Sequence, residues 1–541
     1  MQEKLMNYLR ANSSIFSLAV LQLFFWLGIL RYVELPGLYM DAVNPDYLAA
    51  HILNPSLKNP VWELPTRWFP ILGSLYHGVQ NLYVDIPVFW LIGTSVTAIR
   101  ISQALFGAIT VLVVYGIVRR ISGDKLFATL AALGLATDIA FIVSFRTQNY
   151  IILGGMMWLL LSVYPLIFKD KTAFCRLNLC LSGIFFGLAV YGYFVFLFFL
   201  PAFVIEILQA APKRHKIYAC LVWCLGVAIG LFPYLIGYFS LGVALGGPRE
   251  VLAFLAGMAQ GLAPLSSKLS LVESYEYAFS MARLAMTNGG NELMIFGDPI
   301  EIGLWPTVKF GAFLTGIALA IFWGGLKFCK LAARWSRGTR LVVYLPCSYY
   351  IFSGILGNRL WAHHYSVMTP LFYLLCAVLC YEGYGKLRAL ELGQKYKLSK
   401  RAAFILGGAA IVICNLIQQG SFFQQLAETG GKGKMSSSLN FFAEEALYSA
   451  SDTVYMFPEW GFFMPFSLLT ANTVPYRLEI SKSVIEKLRS KYRYIKVAFW
   501  DYKDFEKYSQ KLESLGVKEN SLRKYTGMDS KPAFYVITGQ L

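Results

Sequence analysis

Long apolar runs alternate with short basic segments over about the first 420 residues. Many of the runs reach about 18 residues or more, enough to cross a hydrocarbon layer of about 30 Å. This pattern predicts an α-helical membrane protein with eleven transmembrane helices, at about residues 14–30, 97–118, 126–143, 150–168, 177–193, 194–210, 218–239, 309–328, 341–356, 365–384 and 402–418. The first apolar run follows a basic start but precedes no small-residue cleavage site, so we interpret it as a retained helix.

The composition agrees with a membrane protein, and the charge distribution orients it. The chain of 541 residues is 57% hydrophobic and only 15% charged, whereas soluble chains are about 25% charged. Of the 48 Lys and Arg residues, 22 lie in the short segments between apolar runs, while the long segments 31–95 and 240–308 are acidic. Cytoplasmic loops carry the basic excess. The net charge of +17 therefore reports a cytoplasmic N-terminus and an external C-terminus, not nucleic-acid binding.

The last 120 residues have a different composition, which predicts a second domain. Basic and acidic residues are nearly balanced there, and short apolar stretches predict strands at 453–457, 495–499 and 533–538 and a helix at 504–515. We divide the chain into a transmembrane domain, 1–420, and an external α/β domain, 421–541. The Gly-Gly-Lys-Gly-Lys sequence at 430–434 is typical of a flexible tether.

The two long external segments and the nine cysteines carry further expectations. Residues 46–57 and 67–83 mix aromatic and polar positions, which suits short helices in the membrane interface. Every cysteine lies in or beside an apolar run, so the sequence predicts no disulfide framework. The pairs Cys220/Cys224 and Cys376/Cys380 favour packing over a metal clip.

The first candidate for chemistry is the acidic start of the first external loop. Asp41 and Asp46 are close in sequence just beyond the first membrane helix. A carboxylate at the membrane face can act as general base toward a hydroxyl. The alternative is that Asp41 only caps the following helix, because Asp is a favoured cap. The residues alone leave both interpretations open.

Two further candidates lie at the external ends of later helices. Arg359, His363, His364 and Tyr365 bring a cation, two imidazoles and a phenol together, which suits a phosphate. An interfacial anchor and a divalent metal site remain open for them, and no other cofactor is predicted. Asp138 and Arg146 flank the turn between helices three and four, where Arg146 is either a phosphate contact or a snorkelling anchor. No Walker, HExxH or GxSxG motif is present.

These stretches resemble the GT-C superfamily of membrane glycosyltransferases. The similarity is to bacterial glycosyltransferase family 39, which includes proteins similar to protein O-mannosyltransferases and to the aminoarabinose transferases of lipid A. The order and spacing of four stretches carry it: residues 41–46, 69–100 and 136–150, and His363-His364-Tyr365 with Pro370. One position departs from the family pattern, because Gln148-Asn149 stand where an acidic residue usually follows the arginine.

The resemblance implies a GT-C fold and inverting transfer of a sugar from a polyprenyl-phosphate donor to a hydroxyl acceptor outside the cytoplasm. Asp41 would be the base, with Asp46 in reserve. The implied substrate- and phosphate-binding residues are Arg146, Arg359, His363, His364 and Tyr365. The implied partners are the lipid-linked sugar, membrane lipids and a lipid, glycan or protein acceptor, and the implied location is the inner membrane.

Two other functions compete with this one. A lipid or solute transporter would need charge at mid-membrane depth, whereas the predicted helix interiors carry little charge apart from Glu206. A catalytically silent scaffold that displays the external tail remains open because Gln148 replaces the family's acidic residue.

Overall fold

A helical membrane region is followed by a smaller α/β domain in the computed structural model. The structure describes residues 2–62, 64, 71–167, 175–262, 269–297, 303–328, 335–389 and 397–541. The membrane region contains helices α1 (Gln2–Leu30), α2 (Leu48–Leu53), α3 (Leu82–Ile92), α4 (Val96–Ser122), α5 (Lys125–Ala136), α6 (Ile139–Ser144), α7 (Asn149–Val163), α8 (Arg176–Gly192), α9 (Leu200–Ala210), α10 (Lys216–Gly230), α11 (Phe232–Leu245), α12 (Pro248–Leu262), α13 (Leu271–Met286), α14 (Gly289–Phe296), α15 (Leu304–Phe328), α16 (Arg337–Leu356), α17 (Met368–Ala389) and α18 (Lys397–Thr429). This confirms the predicted class, an α-helical multi-pass membrane protein.

Sequence signals account for several helix ends. Ser95 accepts a hydrogen bond from the Ala98 N–H and caps α4, and Asp124 caps α5 in the same way through the Phe127 N–H. Gly123 ends α4 with φ of +72°, a conformation that glycine adopts without strain. These signals separate α4 from α5 at the basic hinge that the sequence marks.

The number of membrane crossings was predicted as eleven. Among the described residues, six helices are long and apolar enough to cross a membrane, and α10 with α11, bent by 52°, makes a seventh as a pair. Five shorter apolar helices accompany them, and four of these coincide with predicted spans. The count of eleven therefore stays a prediction.

Two buried ion pairs lie between the membrane helices. Lys309 Nζ is 2.8 Å from Asp138 Oδ2, and Arg340 binds Glu206 through two hydrogen bonds of 2.7 and 3.0 Å. Glu206 is the charge that the sequence already placed inside a helix, whereas Asp138 is the N-cap of α6 and Arg340 lies in the first turn of α16. Each of these buried groups has a partner of opposite charge, which offsets part of the cost of its burial.

Of the two interfacial helices predicted at 46–57 and 67–83, the first contains a helix, α2, and the second is mainly a hairpin. Helix α2 packs on the C-terminal domain, where the Asn54 amide donates to Ala471 O and the Asn472 amide donates to Asn54 O. Of the second prediction, residues 67–70 lie outside the described residues, and β1 (Leu72–Ser74) and β2 (His77–Gly78) form a hairpin. The location of α2 in the membrane interface stays a prediction.

The C-terminal domain is a five-stranded sheet with helices, as the tail composition predicted. Its elements are α19 (Ser438–Ser449), β3 (Thr453–Met456), α20 (Phe463–Leu469), β4 (Tyr476–Arg477), α21 (Lys482–Arg489), β5 (Tyr494–Phe499), α22 (Phe505–Ser514), β6 (Lys518–Thr526) and β7 (Pro532–Gln540). The strand order is β4-β3-β5-β7-β6; β3 runs parallel to β4 and β5, and β7 runs antiparallel to β5 and β6. Three predicted strands and one predicted helix are confirmed to within a few residues.

The linker between α18 and α19 is an ordered loop, so the prediction of a flexible tether was wrong. Its backbone is hydrogen-bonded within the loop and to the membrane region: Ser437 N–H donates to Gly430 O, and Lys432 N–H donates to Ile295 O. Gly430, Gly431 and Gly433 have positive φ, which allows the tight path that glycine favours. The backbone of Ser436 packs directly on Gly37 and leaves no room for a Cβ there. The glycines therefore fix this segment against the first external loop.

Candidate active site

Asp41 lies on a short 3-10 turn, Met40–Ala42, that two contacts hold in place. Arg100, buried in α4, donates to Pro36 O at 2.6 Å, and Gly37 packs on the linker. The Asp41 side chain is partly exposed, and burial raises its pKa above the usual value, while Lys434 acts in the opposite direction. The N-cap of this turn is Tyr39 and that of α2 is Tyr47, so Asp41 occupies neither cap position. A carboxylate in this setting is both accessible and a stronger base than an ordinary aspartate.

Asp46 occupies a different environment from Asp41. It is 0% exposed and accepts a hydrogen bond of 3.0 Å from the Gln103 amide. Burial raises the pKa of Asp46 to about 6. The neighbouring Asp85 is also fully buried, and its carboxylate accepts a hydrogen bond from the Ser102 hydroxyl. The structure thus separates the two sequence candidates: Asp41 is partly accessible, and Asp46 belongs to an enclosed polar cluster.

A histidine–tyrosine cluster is assembled from three distant parts of the chain. Tyr193 Oη lies 3.1 Å from His364 Nε2, and the ring of His77 stacks on Tyr193 at 5.7 Å between centroids. His364 Nδ1 lies 3.0 Å from the Trp361 backbone nitrogen and 3.3 Å from the Trp361 carbonyl oxygen. In the tautomer in which Nδ1 accepts from the Trp361 N–H, the shorter contact, a neutral His364 carries its proton on Nε2 and donates to Tyr193. The Tyr193 hydroxyl proton is then available to a ligand.

His363 extends this cluster and connects it to the turn between α6 and α7. Its ring lies 3.9 Å from that of His364, centroid to centroid, and its Nδ1 is 3.1 Å from the Gln148 amide nitrogen. Gln148 therefore donates to His363, which leaves the His363 proton on Nε2. Gln148, which stands where the family usually has an acidic residue, thus orients His363. Asn149 instead binds Ser144 and Asn291.

The remaining sequence candidates lie apart from one another. Arg146 donates to the backbone carbonyls of Gly28, Ile29, Arg31, Tyr32 and Leu35. These bonds satisfy carbonyls at and just beyond the end of α1, which favours a helix-capping role over a phosphate contact. Tyr365 is fully buried and packs edge-on against Tyr349 at 5.8 Å. Arg359 is exposed on the turn Gly357–Arg359.

Three residues beside Asp41 escaped the sequence analysis: His77, Tyr193 and Lys434. Asp41 raises the pKa of Tyr76, next to His77, and Lys434 approaches Asp41 from the linker. In the sequence, Tyr193 stands out only as part of an aromatic stretch, residues 191–199, which by itself is typical of packing in the membrane. Tyr191 and Tyr193 are instead buried, and Tyr191 Oη donates to Ile71 O in the external loop.

Metal binding has no additional support among the described residues. No group of three or more His, Cys, Asp or Glu side chains in that part of the chain is arranged to hold an ion. The eight described cysteines, including both pairs four residues apart, are free thiols; Cys329 lies outside the described residues.

The architecture matches that of a solved membrane protein. The fold aligns with the structure of ArnT from Cupriavidus metallidurans bound to undecaprenyl phosphate over 97% of each chain, with a TM-score of 0.59 at 12% identity. The same protein in the apo state aligns over 98% of each chain with the same TM-score and identity. The chain therefore has the GT-C fold, which confirms the predicted fold class and confirms the predicted resemblance as a likeness of fold.

Sequence comparison adds one local match to the GT-C fold. Residues 86–237 match the family described as dolichyl-phosphate-mannose-protein mannosyltransferase. No curated protein sequence matches the chain significantly. The matched segment begins in α3 and ends in α11, so it covers Arg100, Arg146 and Tyr193 but not Asp41 or His364.

Proposed function

We propose that this protein transfers a sugar from a polyprenyl-phosphate donor to a hydroxyl acceptor, with inversion, on the external face of the inner membrane. The observation that carries the proposal is the partly exposed carboxylate of Asp41, whose charge raises the pKa of Tyr76. Tyr76 packs in turn on Tyr193 at 5.4 Å between ring centroids, and Tyr193 contacts His364. A base and a set of hydrogen-bond donors on one site are what this transfer needs. The likeness to a structure of ArnT bound to undecaprenyl phosphate supports this class of donor.

In the proposed reaction, Asp41 takes the proton of the acceptor hydroxyl. At the same time, the oxygen of that hydroxyl attacks C1 of the sugar. The bond between C1 and the phosphate oxygen breaks, and the electron pair leaves with the polyprenyl phosphate. The Tyr193 hydroxyl proton and the His363 Nε2–H proton are not used in the contacts with His364 and Gln148. They donate hydrogen bonds to the leaving phosphate and stabilise its charge. The exposed Arg359 is proposed to contribute a further cation there. The protonated Asp41 afterwards returns its proton to solvent.

Removing the Tyr193 hydroxyl tests the phosphate side of this mechanism. Because a hydrogen bond to a charged group contributes about 1.5–3 kcal/mol, we expect Tyr193→Phe to lower transfer by about tenfold to a hundredfold. Tyr344→Phe is the matched control, since that hydroxyl binds Gln209 on another part of the helical surface. Equal activity of both variants and the wild-type protein would remove Tyr193 from the phosphate site.

The pH dependence of transfer tests Asp41 as the base. A base must be deprotonated, so activity should fall as the pH drops through the pKa of Asp41. Burial places this pKa above the usual 3.8, and the acid limb should therefore lie above pH 3.8. Rate measurements across pH on protein in lipid nanodiscs check this. Flat activity down to pH 3.8 in folded protein would contradict it.

The proposed orientation requires the tail and the Asp41 loop to face outward. In a background without the native cysteines, Tyr448→Cys, at a position 85% exposed in the C-terminal domain, should react with an impermeant thiol reagent in intact cells. His215→Cys, in the exposed hinge before α10, should react only after lysis. Labelling of His215→Cys in intact cells, with labelling of Tyr448→Cys only after lysis, would show that the orientation is the reverse of the proposed one.

A further inference from the structure

Lys434 is held beside Asp41 by the ordered linker. Its ammonium lies 5.6 Å from the ring centroid of Tyr39 and 5.8 Å from that of Trp500. The side chain is exposed, and the ion pairs of the described residues do not include it. Although its charge reaches Asp41, the two groups are thus not joined in a salt bridge. The ammonium remains available to a ligand that approaches Asp41.

Trp500 is a rigid neighbour of this lysine. Its ring stacks on Phe462 at 3.7 Å with an interplanar angle of 14°. Its backbone N–H donates to Glu459 at 2.8 Å, and its indole N–H donates to Trp460 O at 2.9 Å. Both N–H groups of this residue are therefore satisfied by the C-terminal domain, and its orientation is fixed without a ligand.

The aromatic surface continues from Trp500 toward solvent. Trp460 packs edge-on against Trp62 at 4.9 Å, and these side chains are 45% and 56% exposed. Tyr39 contacts Trp500 at 6.4 Å on the side of the Asp41 turn. Large indole rings are usually buried more completely than this in the absence of a partner. Flat aromatic faces with polar edges suit the apolar C–H faces of sugar rings. Because Phe462 stacks on Trp500 and Lys434 lies over its ring, the exposed faces here are those of Trp460 and Trp62, and Trp500 positions Lys434 beside them.

We propose that Lys434 and Trp500, with Tyr39, form the acceptor site and select a glycan that carries an anionic group close to the reacting hydroxyl. This inference rests on the proposed function, since it assigns the donor phosphate to the Tyr193–His363 side. The linker and the C-terminal domain supply Lys434 and Trp500, whereas the donor side is built on elements of the membrane region. The C-terminal domain is then part of the active site. The anionic group is a phosphomonoester or a uronate carboxylate, which share the negative charge that an ammonium binds.

The test measures saccharide binding to the full-length protein in nanodiscs. The probes are mannopentaose, the same pentasaccharide with one 6-phosphate, and a galacturonate pentamer. We expect an anionic probe to bind about tenfold more tightly than mannopentaose, because a charge-assisted bond is added. Preference for the phosphorylated probe alone identifies a phosphomonoester, and preference for the galacturonate alone identifies a uronate.

Variants connect this preference to individual side chains. Lys434→Gln should remove the preference, and Lys434→Arg should keep it. Lys432→Gln, on the same linker, is the matched control and should leave it unchanged. Trp500→Ala should weaken the binding of all three saccharides to the same extent. Equal binding of the three probes to wild-type protein, or an unchanged preference in Lys434→Gln, would overturn the inference.

Binding of undecaprenyl phosphate, measured by native mass spectrometry on the same samples, separates the two proposals. Protein that retains undecaprenyl phosphate but does not discriminate among the saccharides would refute the acceptor site and leave the donor assignment standing. Protein that does not bind undecaprenyl phosphate would refute the donor assignment on which the inference rests.

Discussion

Asp41→Asn should lower sugar transfer by about a hundredfold or more, the contribution typical of a positioned general base. The amide keeps the size of the side chain but cannot accept the hydroxyl proton. Folding should change little, because Asp41 is partly exposed and is not the N-cap of its own turn or of α2. Transfer from an undecaprenyl-phosphate sugar and a thermal melt on the same purified variant measure both effects.

Asp46→Asn is the matched control for this substitution. Asp46 is enclosed, and its contact with Gln103 can be kept by an amide, so we expect a smaller loss of transfer. An inactive Asp46→Asn beside an active Asp41→Asn would reassign the base to Asp46. Full activity in both variants, with unchanged melting, would show that neither carboxylate is the base.

Lys309→Met should strongly destabilise the membrane region. Lys309 pairs with Asp138 in a site where both side chains are almost fully buried. Removing one partner of such a pair leaves an uncompensated charge and costs about 3–5 kcal/mol. Asp138 also accepts from the Tyr373 hydroxyl and caps α6 through the Ala140 and Phe141 N–H groups, so the disturbance should spread to three helices.

The double variant Asp138→Asn/Lys309→Met provides the control. It removes both charges and keeps a side chain that can cap α6, so it should recover part of the lost stability. Unfolding in a denaturing detergent, followed by the loss of helical signal, measures the difference. A single variant as stable as the wild-type protein would show that the pair does not hold these helices together.

The sequence predicted correctly those elements that are set by their own residues and the turns that bound them. The strand at 453–457 and the final strand were found because β3 and β7 are short apolar stretches bounded by turns. The pattern did not reveal that α2 would pack on the C-terminal domain, because this contact depends on Asn472, more than 400 residues away. The Gly-rich linker misled for a related reason: glycine permits both a flexible chain and a tight, hydrogen-bonded loop.

In the candidate site, too, some residues could be predicted from the local sequence and others only from the fold. Asp41 was found from the sequence because an acidic residue beyond a membrane helix is a local feature. His77, Tyr193 and His364 come together only in the fold, and neither a tyrosine in an aromatic run nor a single histidine is distinctive alone. The five carbonyl contacts of Arg146 were equally hidden, since they depend on where α1 ends.

The most direct test of the proposed reaction is donor consumption by the purified protein. Wild-type protein and Asp41→Asn would be incubated in nanodiscs with undecaprenyl-phosphate sugars and a membrane lipid extract of the host, and mass spectrometry would follow the donor and its products. The proposed mechanism predicts that wild-type protein releases undecaprenyl phosphate and forms a glycosylated acceptor, while Asp41→Asn does so at about a hundredth of the rate or less. Folded wild-type protein that leaves the donor intact, or equal rates for both proteins, would contradict it.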